Sequence, residues 1–357
     1  MSNSISGPAG GPVAHRRYVY LDVLRCISIY LVILAHCFND ILGRADLFGT
    51  PLWWATDLLH IVTRVSIPLF FMISGYLHLA DPRTDNVVSF YLHRLGRLLL
   101  PFLVWDIFYF IFYKCFNWGN WTFNLQTFVQ ELVGQGSSYH LWFIYQIGAL
   151  YLLMPFLKRI VDHSSVKEQL IFLGVVLLQP TIFRLLNVVQ NWVTFSPFLA
   201  IVEGYTGYVL VGYLLGSQEL SPRARRWIYI LGLVGLVSGT YGNYAYSEPT
   251  NVVLYCNEGY FITNYMTSAA CFVLAKQVAE KMPGWLKKVT VKLSGLTFGI
   301  YFSHVMVLEM MSAVLARTGI ILPPPQKNIV LFFSTSVFTT LFVWVVSHMR
   351  GLKKLLM

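Results

Sequence analysis

Apolar runs of about 20 residues recur along almost the whole of this chain, and that recurrence constrains its fold more than any motif does. A helix of about 20 residues crosses the hydrocarbon core of a bilayer. Backbone groups in lipid must be satisfied within a helix or a closed barrel, and runs this long favour helices. The pattern therefore predicts an all-α polytopic membrane bundle of about ten spans. These fall near 18–38, 52–78, 93–113, 140–157, 169–190, 198–216, 227–246, 261–279, 293–314 and 328–348. Composition agrees: 56% of residues are hydrophobic and 12% charged, about half the charged share of a soluble domain. The first run carries an aspartate, an arginine and a histidine and is not followed by a small-residue cleavage site, so it reads as a span rather than a signal peptide. Residues 1–17 read as a disordered cytoplasmic segment, 18–348 as one membrane domain and 349–357 as a basic cytoplasmic tail.

A net charge of +10 raises the possibility of a nucleic-acid partner until the basic residues are placed. With the N-terminus inside, nearly all lysines and arginines outside the spans fall on the cytoplasmic side. The outer side receives only Arg44, Lys114, Arg317 and Lys327. That asymmetry follows the positive-inside rule and sets both termini in the cytoplasm. The basic balance is topological, and no nucleic-acid partner is expected. The five cysteines show no metal-like spacing, and no metal is expected.

Three arginines remain inside spans: Arg25, Arg64 and Arg184. Arg25 shares the first span with Asp22 and His36. Eleven residues at about 100° each bring His36 back to within roughly 20° of the face of Arg25, displaced by roughly 16 Å. Ionisable groups in a membrane are costly and mark functional stripes unless they snorkel or pair within the bundle. Arg64, near the middle of the second span, needs an anionic partner: Asp22, Asp106 or a ligand phosphate. Pro68 releases a backbone carbonyl nearby, and Ser74-Gly75-Tyr76 follows, where glycine permits close backbone approach.

Arg94 and Arg97 open the third span at i, i+3, so both guanidinium groups are expected on one helical face. That spacing suits phosphate recognition, and equally suits ordinary inner-surface charge. His140, Trp142 and Phe143 open the fourth span, as an interfacial aromatic belt or a sugar-stacking surface. Glu203, His304 and Glu309 are further intramembrane polar residues, each able to serve as a hydrogen bonder in bundle packing.

Taken together, Arg25-x10-His36, Arg64 with Ser74-Gly75-Tyr76, Arg94-x2-Arg97, His140-Leu-Trp-Phe and Gly299-Ile-Tyr-Phe-Ser-His304 resemble the acyltransferase 3 family of bacterial membrane O-acyltransferases. The resemblance runs in order from about residue 18 to 348. The segments around Arg64 and His140 look like the branch that acetylates enterobacterial common antigen. Val23 and Cys26 stand where the family's first motif often carries glycine.

The resemblance implies acetyl-CoA as cytoplasmic donor and a lipid-linked or polymeric glycan as acceptor, in a multi-pass protein of the bacterial inner membrane surrounded by membrane lipids. It implies His36, Arg25 and Asp22 as the catalytic group, with His36 as general base or transient acyl carrier. Arg64, Arg94, Arg97, Ser74, Gly75 and Tyr76 are expected at the donor. His140, Trp142, Phe143, Glu203 and His304 are expected at the acceptor. A transporter or flippase using the same polar cavity is the competing reading.

Overall fold

The computed structural model describes residues 17–117, 124–134, 136–177, 205–252, 259 and 261–357. Glu203, Arg184 and much of the fifth and sixth expected spans lie outside these residues. The described chain is helical, with a single isolated bridge between Glu248 and Asn251. The main helices are α1 (Val19–Cys37), α2 (Pro51–Arg64), α3 (Ser66–Leu79), α4 (Val87–Asn117), α5 (Leu125–Gly134) and α6 (Trp142–Asp162). After a described helical stretch over 166–177 come α7 (Thr206–Ser217), α8 (Pro222–Ala245), α9 (Ile262–Lys281), α10 (Gly284–Ser294), α11 (Thr297–Arg317), α12 (Pro324–His348) and α13 (Arg350–Leu356).

Among the described residues six segments are long and apolar enough to cross a membrane: Val19–Leu42, Pro51–Leu79, Val87–Tyr113, Trp142–Asp162, Thr297–Arg317 and Pro324–His348. They coincide with the first four and last two expected spans. The seventh and eighth fall on α8 and α9, which are long enough to span but more polar. The protein is thus an all-α polytopic membrane bundle.

Lipid faces and core faces separate by helical period. On α4, Leu99, Leu103, Ile107 and Ile111 are exposed, whereas Leu98, Phe102, Trp105 and Tyr109 are buried one or two positions away. With no water on the lipid side, the outward apolar stripe is the favourable one. α1 sits centrally, against α2, α3, α9, α10, α11 and α12.

The second expected span is one membrane segment built of two helices. Pro68 lacks the N–H that would bond the carbonyl of Arg64, and the helix breaks at Val65. Asn264 of α9 supplies the missing donor, its Nδ2 reaching the Arg64 carbonyl at 3.4 Å. α3 then packs very closely on α7. A Cβ on Gly75 would stand 2.1 Å from the Val209 carbonyl oxygen, and one on Gly212 2.1 Å from that of Met72. Reciprocal glycines let two backbones approach as no other residue would. The basic tail forms α13 and folds back onto α4, where Trp105 Nε1 donates to the Leu356 carbonyl at 3.2 Å.

Candidate functional site

Two polar regions lie on either side of a single aromatic ring. The first is a cavity of about 600 Å³ at the basic end of the bundle. Each helix contributes a stripe at helical spacing: Phe70, Ser74, Leu77 and His78 from α3, Phe143, Ile147 and Tyr151 from α6, and Thr297, Phe298 and Tyr301 from α11. Arg25 of α1 and Arg94 of α4 bring positive charge to its wall. The loop Asp81-Pro82-Arg83 forms the mouth.

At the mouth, Arg83 closes on Asp81, with Nη2 2.6 Å from Oδ2. That hydrogen bond holds the Asp81 carboxyl below the usual carboxylate range. Buried Lys158 fastens the mouth from below: its ammonium donates to the Leu79 carbonyl at 3.3 Å and to Asp162 at 2.7 Å.

Arg25 is oriented by Asp22, whose carboxylate is buried at the α1–α10 contact. Asp22 accepts from Arg17 Nε at 2.8 Å, Ser294 Oγ at 2.5 Å and Arg25 Nη1 at 3.4 Å. Arg17 is therefore the closer cation, and the Asp22–Arg25 contact is the weaker arm of a shared carboxylate. Bonding to Asp22 raises the Arg17 pKa still further, so that guanidinium stays charged.

The second region is a group of three imidazoles toward the opposite end. His36 of α1 and His304 of α11 stack with ring centroids 5.3 Å apart and planes 28° apart. His140 meets His304 edge-on at 5.0 Å, and Tyr139 meets His36 at 5.1 Å. His304 Nδ1 lies 2.6 Å from the Tyr301 carbonyl, which only accepts, so that nitrogen carries the proton. Its Nε2 then presents a lone pair, and Nε2 of both His304 and His140 is buried with no hydrogen-bond partner among the described residues. His140 Nδ1 pairs with Ser138 Oγ at 3.0 Å, and that hydroxyl also meets Tyr113 Oη at 3.2 Å. A buried polar atom left unpaired costs free energy and marks a place where a ligand group can settle.

Tyr301 separates the two regions. Its ring lines the cavity beside Phe143, 5.2 Å between centroids, and also stands 5.8 Å from His304 and 5.6 Å from His140. Its hydroxyl donates to the His140 backbone carbonyl, which pins the start of α6 to α11.

The cavity wall therefore gathers Arg25, Arg94, Ser74, Tyr76 and Phe143. Arg97, expected beside Arg94, is exposed and outside that wall, because α4 presents its two positions to different surroundings. Gly75 packs against α7 instead of the cavity. Arg64 stands on the histidine side, its Nε donating to His60 Nε2 at 3.2 Å and its charge within reach of His36. Asp22 and Asp106 hold other partners: Asp106 accepts from the Ser137 amide at 2.7 Å. Trp142 stacks near Tyr205 at 6.1 Å, outside the cavity wall. Half-buried Glu309 lies near Tyr113 and Tyr139. Among the described residues no group of three His, Cys, Asp or Glu is arranged to hold a metal ion.

His78 also lines the cavity, outside the residues expected from the sequence. His78 is buried, packs edge-on to Phe90 and Tyr151, and leaves Nδ1 without a partner. Its signal was its place four residues after Ser74, on the same helical face.

A multi-pass helical bundle with a basic cavity on one side and a cluster of imidazoles on the other defines a membrane protein built around an internal polar site. The chain belongs to the acyltransferase 3 family: the profile described as an acyltransferase domain matches residues 18–348. A serine/alanine racemase of Enterococcus gallinarum is 27% identical over 265 residues, which cover 66% of this chain and 34% of that protein. The chain thus matches about a third of that relative's length. No solved structure gives a significant match.

Proposed function

We propose that the protein transfers an acetyl group from acetyl-CoA at the basic, cytoplasmic end to a hydroxyl of a surface glycan or its lipid-linked precursor on the other side of the inner membrane. The observation that carries this reading is Tyr301, whose ring divides an arginine-bearing cavity from the His36–His304–His140 group. Arg25 and Arg94 suit the phosphates of the donor, and the apolar walls suit an extended pantetheine arm. The thioester carbonyl is delivered past the Tyr301 ring to His36. The neutral imidazole takes the acceptor hydroxyl proton as that oxygen attacks the carbonyl carbon. The carbon–sulfur bond breaks, and the thiolate leaves with the proton returned from His36. Arg64 faces the charge that develops on the carbonyl oxygen. The branch-like segments around Arg64 and His140 favour an amino-sugar polymer such as enterobacterial common antigen as acceptor.

The test supplies acetyl-labelled CoA and a lipid-linked amino-sugar acceptor to purified protein. Wild type should label the acceptor and folded His36→Ala should not. Undiminished transfer by His36→Ala would remove that histidine from the chemistry.

A further inference from the structure

Away from the cavity, α8 and α9 form a second recess at the basic end of the bundle. It is an open groove of about 510 Å³ lined by Arg225, Arg226, Tyr229, Ile230, Leu233 and Gln277, and it shares no lining residue with the cavity. The two helices are drawn together farther along by small residues. A Cβ on Gly232 would stand 2.4 Å from Ala270 Cβ, and one on Gly235 2.6 Å from the Thr263 carbonyl. The groove opens where that contact gives way to the longer Tyr229 and Gln277 side chains. Turned so that each end meets its partner, the Gln277 amide nitrogen donates to Tyr229 Oη at 2.9 Å. Its oxygen then accepts from Arg225 Nε and Nη1 at 3.3 Å. A neutral amide orients that guanidinium without cancelling its charge.

Among the described residues neither arginine forms an ion pair, and α8 has no acidic residue in its first turn. Beyond the arginines the groove becomes apolar and lipid-facing: Ile230 is 42% and Leu233 62% exposed. Arg226, Ile230 and Leu233 follow one another at i, i+4 and i+7, so charge and apolar wall form a single stripe along α8. Exposed Trp227 stands beside the arginines, as interfacial tryptophans do at headgroup level. Positive-inside charge alone needs neither a recess nor a contiguous apolar wall.

We propose that this groove binds one anionic phospholipid, its phosphate between Arg225 and Arg226 and an acyl chain along Ile230 and Leu233. Charge complementarity selects the headgroup, and the lipid-exposed wall selects a membrane-borne ligand over a soluble anion.

Native mass spectrometry of the full-length protein, with dioleoyl-phosphatidylglycerol or dioleoyl-phosphatidylcholine in the micelle, tests the assignment. One phosphatidylglycerol should be retained per chain in preference to phosphatidylcholine. R225Q/R226Q should weaken that retention roughly tenfold or more, the scale expected from two headgroup charges. K287Q/K288Q, on basic α10 outside the groove, should leave it within about twofold. The exposed single change R226Q, which poses no folding problem, should weaken it about threefold. Equal retention of the zwitterionic lipid, unchanged retention in R225Q/R226Q or R226Q, or equal loss in K287Q/K288Q would each overturn the assignment. So would displacement of the lipid by millimolar inorganic phosphate, which would make the groove a soluble-anion site.

Discussion

His36 and His304 lie ring against ring, 5.3 Å between centroids, although 268 positions separate them in the chain. The Tyr301 carbonyl fixes the His304 tautomer, so a nitrogen lone pair stands beside the histidine on which transfer is proposed to depend. His304→Gln keeps much of the volume but loses the imidazole. It should lower kcat for acetyl transfer by about 10- to 100-fold and leave the KM for acetyl-CoA within about twofold. Steady-state kinetics separate this outcome from loss of donor binding, in which KM would rise and kcat hold.

Arg94 and Arg97 differ in their surroundings, and the two should separate in function. Arg94→Gln removes a charge from the cavity wall and should raise the KM for acetyl-CoA about tenfold, the scale of one charge-assisted hydrogen bond. Arg97→Gln, exposed and off the wall, should change it less than twofold. Equal effects would mean that both arginines reach the donor.

Asp81 neutralises Arg83 at the mouth. Asp81→Asn should free that guanidinium and lower the KM for acetyl-CoA two- to threefold at pH 7. The pH dependence has a definite sign. The Asp81 carboxyl titrates below its ordinary range because Arg83 hydrogen-bonds its charged form. The ion pair is therefore fully present above the unfolded carboxylate pKa and is lost as pH falls through the lower folded value. Wild type and Asp81→Asn should differ throughout the range above the ordinary aspartate value of about 3.9 and converge only as pH falls below it, in donor-binding measurements by fluorescence or calorimetry.

Gly75→Ala tests the α3–α7 contact. The added methyl meets a backbone oxygen at 2.1 Å, which no side-chain rotation relieves, so the helices must part. A loss of about 3 kcal/mol is expected, read as a Tm at least about 5 °C lower in detergent-solubilised protein. Ser74→Ala, one position away on the cavity side, should leave Tm nearly unchanged.

Asp22→Asn leaves the half-buried Arg25 without its carboxylate and weakens the contact of α1 with α10. Both the stability of the bundle and the aim of Arg25 should suffer. Thermal unfolding should show a loss of about 2–3 kcal/mol, and the KM for acetyl-CoA should rise.

The amino-acid sequence by itself determined the class of fold, because a backbone in lipid has few ways to satisfy its hydrogen bonds and runs of about 20 apolar residues leave the helix as the favoured one. It also determined what each helix presents on a given face. The offset from Arg25 to His36 and the Ser74–His78 stripe follow from the helical period, and the break at Pro68 follows from its missing N–H. Which faces meet was left to the tertiary structure. Periodicity orients a residue on its own helix and says nothing of the neighbour, and within lipid no simple apolar contrast selects one helix partner over another. Only packing could turn Arg94 inward while leaving Arg97 exposed. Only packing commits Gly75 to the Val209 backbone, hands Asp22 chiefly to Arg17, and moves Arg64 away from the cavity toward His36. The meeting of His36, His140 and His304 around Tyr301 belongs to the same category, since it depends on the contacts of three helices from distant parts of the chain.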